Sequence, residues 1–153
     1  MGTYREIKGD LLSLFREGKF DVIVHGCNCF IAMGAGIAYQ VATQFPEAVV
    51  ADTNFVIPPG DMNRLGTFSM VQTKEGIILN AYTQFKTNKN LSKEALIMNL
   101  AKIGQLFKGK KIGLPYVIGC GIAGGNPSEV IPLIKFYLKD CDVTIVQLPQ
   151  NNR

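Results

Sequence analysis

Short β-branched apolar runs alternate with stretches of helical spacing along this chain, and that alternation restricts it to an α/β domain. Residues 20–25 (FDVIVH) and 111–118 have the apolar character of buried strands. Residues 4–8 and 143–148 read as two further strands. Residues 67–72 and 76–82 flank Lys74-Glu75-Gly76, which predicts a hairpin. Helical segments fall between the strands. Residues 11–15 make a helical turn, and 36–45 make a helix stopped by Pro46. Residues 92–107 open on Ser92-Lys93-Glu94, which resembles a capping box. Leu96, Ile97, Leu100, Ile103 and Phe107 then keep helical spacing. A last helix starts at Asn126-Pro127-Ser128-Glu129 and runs to about Lys139. Residues 50–64, which hold Pro58-Pro59-Gly60, read as irregular. The order predicts a three-layer α/β/α fold with a mixed central sheet, and residues 1–153 as a single domain.

Composition narrows the function classes. Hydrophobic residues make up 47% and charged residues 18%, which excludes a disordered chain. The net charge of +4 is spread out, apart from Lys108, Lys110 and Lys111. A duplex-DNA binder carries a denser basic stripe, so no nucleic-acid partner is expected, while an anionic small ligand fits. Four cysteines without CxxC pairs or a spaced histidine predict no metal site, no cofactor and reduced thiols. The polar start MGTYREIKGD is not a signal peptide, and Glu6 breaks the myristoylation pattern. No apolar run approaches the roughly 18 residues of a membrane span. A cytoplasmic monomer without a membrane partner is the expectation.

Two glycine-bearing loops follow predicted strands and open predicted helices. The first, residues 25–38 (HGCNCFIAMGAGIA), holds the only histidine and two of the cysteines. The second, residues 118–130 (IGCGIAGGNPSEV), holds four glycines. Successive backbone N–H groups in such loops form anion-binding nests, and the helix start adds a positive dipole end. Tight strand-to-helix turns also use glycine without any ligand. Neither loop carries GxxxxGK[ST], and neither gives GxGxxG directly after a strand, so both nucleotide fingerprints are excluded. In α/β sheets ligands sit at the carboxyl ends of the strands, where both loops fall.

Four stretches carry a family resemblance. They are IKGDLL (residues 7–12), VHGCN (24–28), MGAGIA (33–38) and LPYVIGCGIAGG (114–125). In this order they resemble the motifs of macrodomains, the ADP-ribose-binding modules. VHGCN stands where that family usually has Val-Asn-Ala-Ala-Asn. The last two are particularly similar to the branch of terminal ADP-ribose glycohydrolase, the antitoxins that strip ADP-ribose from DNA, and the yeast-type ADP-ribose-1″-phosphate phosphatase. The resemblance implies that Asp10, beside Leu11, accepts a hydrogen bond from the adenine amino group. The residue-level alternative for Asp10 is a cap after Gly9. Asn28 is implied to contact the distal ribose. The implied diphosphate walls are Met33, Gly34, Ala35, Gly36 and Ile37 on one side. Ile118, Gly119, Cys120, Gly121, Ile122 and Ala123 make the other.

Departures from the branch bear on mechanism. Its glycohydrolases use a lysine in a segment resembling NxxTK, and here Asn80-Ala81-Tyr82-Thr83-Gln84 puts Gln84 at that place. An acid follows GCGL in the human-type enzyme, and here Ala123 stands there. Thr83 and Gln84 are retained as ligand-binding candidates, without a lysine–acid mechanism. His25 replaces the first Asn of the general motif. It is either an acid, base or nucleophile beside the phosphate donors, with Asn28 as the second catalytic candidate, or a packing histidine bonded to a backbone group. Cys27 and Cys29 are expected to pack. The implied function is ADP-ribose binding with hydrolysis of a small derivative such as ADP-ribose-1″-phosphate. The alternatives are a non-catalytic ADP-ribose reader, and a hydrolase that removes ADP-ribose from protein or nucleic acid.

Overall fold

The computed structural model describes residues 2–34, 36–86, 91–116 and 126–149. Six strands, β1 (Thr3–Lys8), β2 (Val22–Cys27), β3 (Phe68–Gln72), β4 (Ile77–Tyr82), β5 (Lys111–Pro115) and β6 (Asp142–Gln147), form one sheet. Its order is β1-β6-β5-β2-β4-β3. All neighbours pair parallel except β3 and β4, which form the expected antiparallel hairpin. The sheet is therefore mixed, as the hairpin among alternating strands and helices predicts.

Helices cover both faces. They are α1 (Leu11–Arg16), α2 (Gly36–Gln44), α3 (Pro46–Thr53), α4 (Lys93–Leu106) and α5 (Pro127–Tyr137). Side chains alternate across a strand, so neighbouring residues of β2 serve different cores. Val22 and Val24 join Leu79, Ile112, Leu114, Val143 and Ile145 under α4 and α5. Ile23 joins Ile78 and Val146 beneath α1, α2 and α3 with Phe15, Val41, Phe45 and Ala48. The central parallel strands are thus apolar on both faces, which is why they read as continuous runs.

One stretch differs from its sequence reading. Residues 50–64 were expected to be irregular, yet α3 extends to Thr53 and a 3₁₀ turn spans Met62–Arg64. Pro46 stops α2 and also starts α3, because proline lacks an N–H that the first helical turn does not use. Asp61 caps the 3₁₀ turn by accepting from the Asn63 N–H. Among the described residues no helix is long and apolar enough to cross a membrane.

The close approach of α4 to α5 depends on Gly104. A Cβ at that position would lie 2.1 Å from the Tyr137 carbonyl oxygen. Alanine in a helix gains about 1 kcal/mol over glycine in propensity. Overpacking against a fixed backbone costs about 1–3 kcal/mol, so the clash wins. Gly104→Ala is expected to lower the urea midpoint, and a raised midpoint would show that the two helices move apart freely.

Candidate functional site

Parallel pairing puts the carboxyl ends of β1, β6 and β5 side by side: Lys8 pairs with Gln147, and Pro115 with Val146. The chain leaves each end for a helix or loop and opens a cavity of about 560 Å³ there. This volume lies within the usual range for small-ligand sites. Gly9, Asp10, Leu11 and Leu12 line it from β1 and α1. Gly36, Ile37, Tyr39 and Gln40 line it from α2, and Pro115, Tyr116, Val146, Gln147 and Leu148 from β5 and β6. Asp10 Oδ1 caps α1, accepting from the N–H groups of Leu12 and Ser13 at 3.0 and 3.1 Å. Gln147 is held in turn by Lys8, whose Nζ lies 3.2 Å from its Oε1.

Of the expected site residues, Asp10, Leu11, Gly36 and Ile37 meet in this cavity. Asn28, Met33, Thr83 and Gln84 gather instead where β2 and β4 end. The N–H groups of Thr83 and Gln84 both point to the Cys27 carbonyl, at 3.1 and 3.4 Å. Met33 packs on Cys27, Cys29 and Tyr82. Asn28 orders its own loop: its Oδ1 accepts from the Phe30 N–H and its Nδ2 donates to the Ala32 carbonyl. Gly34 is exposed, with no heavy atom within 4 Å of a virtual Cβ. Ala35 and residues 118–125 of the second loop, including Ile118, Gly119, Cys120, Gly121, Ile122 and Ala123, lie outside the described residues.

The sequence reading missed Tyr39, Gln40, Tyr116, Gln147 and Leu148. Helical spacing was the signal for the first two, which follow Gly36 by three and four residues and share its face. The strand-end rule was the signal for the others.

His25 does not stand at a surface. Its ring is 0% exposed, and Nε2 lies 2.6 Å from Asn80 Oδ1. Asn80 Nδ2 donates to the Ala48 carbonyl and to Ser69 Oγ, each at 3.0 Å. The Asn80 Oδ1 is therefore an acceptor, and His25 carries its proton on Nε2. Cys27 Sγ lies 3.6 Å from Nδ1. Burial lowers the imidazole pKa to about 4, against the opposing pulls of Asn80 and Asp52. The expectation of a reacting imidazole thus meets a neutral ring enclosed by protein, and its partner is the Asn80 side chain rather than the backbone. The packing expected of the cysteines is observed. Burial pushes the Cys27 thiol well up and that of Cys29 up to about 11, the reverse of what a nucleophilic thiol needs.

The same network continues inward. Ser69 Oγ and Tyr82 Oη are 2.8 Å apart, and the Tyr82 hydroxyl donates to Asp52 Oδ1 at 2.6 Å. Arg64 Nη1 meets that carboxylate oxygen at 2.7 Å. Four side chains, Asn80, Ser69, Tyr82 and Asp52, thereby link His25 to the Arg64 guanidinium without reaching the cavity.

No family model matches the chain. It is 34% identical over 148 residues to the uncharacterized 17.5 kDa protein of the tk-vs intergenic region of Enterobacteria phage T4, covering 92% of this chain and 93% of that protein. It is similar to the solved macrodomain of Thermus aquaticus DarG, at 22% identity and a TM-score of 0.72, over 99% of this chain and 100% of that one. For the macrodomain of Mycobacterium tuberculosis DarG the values are 21% and 0.74, over 99% and 100%. For Thermosipho africanus DarTG, solved in complex with ADP-ribose, they are 20% and 0.75, over 97% of this chain and 43% of that one. The chain belongs to the family of the phage T4 protein and has the macrodomain fold.

The buried imidazole makes stability depend on pH. In the unfolded chain it takes up its proton near pH 6.5, and in the folded one only near 4. Between these values the unfolded state binds more protons, so stability falls as pH drops from about 6.5 to 4 and levels off below. The expected loss is on the order of 3 kcal/mol. An NMR titration of the single histidine, with urea midpoints across that window, checks this. A ring titrating above pH 6 would remove the effect.

Proposed function

We propose that the chain binds ADP-ribose. The observation that carries this reading is the cavity between Asp10 and the start of α2, at the joined carboxyl ends of β1, β6 and β5. Tyr39, Tyr116 and Leu148 offer apolar surface to a flat base, and the Asp10 carboxylate offers an acceptor to its exocyclic amine. The first turn of α2 presents N–H groups and a positive dipole end to a diphosphate. Residues 28–34 lead into that turn, so a distal ribose extends toward Asn28. In this reading, by the family resemblance, Ile118 to Ala123 of the second loop also contact the diphosphate, and residues 1–153 act as one domain. The solved Thermosipho africanus relative in complex with ADP-ribose supports the ligand class.

We further propose that the ligand is a small derivative, ADP-ribose-1″-phosphate, and that the chain releases its terminal phosphate. The branch resemblance of MGAGIA and IGCG motivates this step. Here Asn28 orients the distal ribose, and His25 acts only by holding Asn80, because a buried ring 2.6 Å from Asn80 has no free path to substrate. That burial, together with Gln84 in the lysine position, favours a second reading, a non-catalytic ADP-ribose reader. Phosphate release from ADP-ribose-1″-phosphate separates the two: turnover above the buffer rate supports the hydrolase, and tight binding without turnover supports the reader.

Calorimetry with ADP-ribose tests the shared premise. Micromolar affinity is expected, about −8 kcal/mol, and binding weaker than millimolar would remove it. Asp10 separates its two roles by substitution. Asp10→Ala loses the α1 cap, about 1 kcal/mol of stability, and the adenine acceptor, roughly 1.5–3 kcal/mol of binding. Asp10→Asn keeps the cap, so its melting temperature stays near native while ADP-ribose affinity falls. Ribose-5-phosphate has no base and should bind both variants like the native protein. Equal losses for that ligand would contradict the adenine role.

A further inference from the structure

We infer that Arg64, paired with Asp52, is a positioning residue for the ligand loop that begins at Asn28; its functional consequence rests on the ADP-ribose reading above. The pair is fully enclosed, with side-chain exposures of 0% and 1%. Burying two charges costs desolvation, and apolar residues of similar volume serve stability as well. What apolar residues lack is directed donors. Arg64 sends three of its donors to different places: Nη1 to Asp52 Oδ1, Nη2 to the Asp52 carbonyl at 2.9 Å, and Nε to the Ile57 carbonyl at 2.7 Å. Its guanidinium also lies 4.9 Å from the Tyr82 ring centre and 5.5 Å from that of Phe55. One planar fork thus ties the end of α3 to the connection that follows it.

That connection carries the ligand loop. The Gly60 N–H donates to the Cys29 carbonyl at 2.8 Å, and the Cys29 N–H donates to the Phe85 carbonyl at 3.0 Å. Phe30 lies against Gly60, where a virtual Cβ would come 3.1 Å from its Cε1, and meets the Phe85 ring edge-on at 5.0 Å. The Phe30 N–H then donates to Asn28 Oδ1. From Arg64 to Asn28 the route runs through Ile57, Gly60 and residues 29–30, and it never enters the cavity that Asp10 lines. Loosening it displaces the distal half of the site and leaves the cavity at the other end intact.

Two substitutions test this. Arg64→Lys keeps a charge for Asp52 but cannot also hold the Ile57 and Asp52 carbonyls. Gly60→Ala leaves the buried pair alone, but strains a φ of +83° and presses on Phe30. Should Arg64→Lys fail to fold, Gly60→Ala decides. In both, amide exchange at Cys29 and Gly60 should quicken, about tenfold or more, while the β2–β4 ladder stays protected. ADP lacks only the distal ribose. ADP-ribose affinity should fall about tenfold while ADP affinity stays within about twofold. Unchanged exchange at Cys29 and Gly60, or equal losses for both ligands, would overturn the inference. Native protein that binds neither ligand would instead overturn the ADP-ribose reading, and the exchange rates would still decide whether Arg64 holds the loop.

Discussion

One buried charge organises the carboxyl ends of β2 and β4. The Asp52 carboxylate sits at the end of α3, enclosed by protein, and its Oδ1 receives both Arg64 and the Tyr82 hydroxyl. A lone carboxylate in such surroundings costs several kcal/mol unless paired and hydrogen-bonded. Arg64 supplies the counter-charge, and its own remaining donors then need acceptors. The carbonyls of Asp52 and Ile57 provide them. The course of the chain between α3 and β3 follows from satisfying that one guanidinium.

Polarity then propagates outward from Asp52 in one direction. Tyr82 spends its proton on the carboxylate, so Ser69 donates to Tyr82, Asn80 donates to Ser69, and His25 donates to Asn80. Each group has a single consistent role, and a neutral His25 completes the series. A charged imidazole would need a second acceptor, and among the described residues Nδ1 faces only the Cys27 sulfur at 3.6 Å. The polar residues that interrupt the apolar runs of β2 and β4 are therefore one network, placed where α3 covers the sheet. Their burial is compatible with stability because each is bonded.

The site's two halves rest on different physics. The cavity beside Asp10 exists because parallel strands end together while the chain departs from each end on its own path, leaving apolar walls from α1, α2 and β6. The loop from Asn28 onward is held by backbone hydrogen bonds and an aromatic contact, supported by the buried ion pair beneath. The ligand proposed above, with a flat base, a diphosphate and a second sugar, is long enough to need both. Residues 118–125 of the second glycine loop, which the family resemblance assigns to the same diphosphate, lie outside the described residues.

Strand and helix positions were legible because their signals are local. Apolar runs such as residues 20–25, the Asn126-Pro127 start and the hairpin glycine each act within a few residues. The helix after Pro46 was not, because a proline that ends one helix and starts another gives the same local signal as an irregular stretch. Asp10 and Gly36, singled out through the motif resemblance, line the same cavity in the structure. Tyr116, Gln147 and Leu148 were not singled out, since ordinary residues join a site only when the sheet order brings β5 and β6 beside β1. His25 marks the boundary. Local sequence determined that an imidazole stands at the end of a strand next to a glycine loop. Only the tertiary structure decided that α3 and β4 close over it, because burial and partners are set by segments 23 and 55 residues away in the chain, Ala48 and Asn80, through contacts that no local pattern encodes.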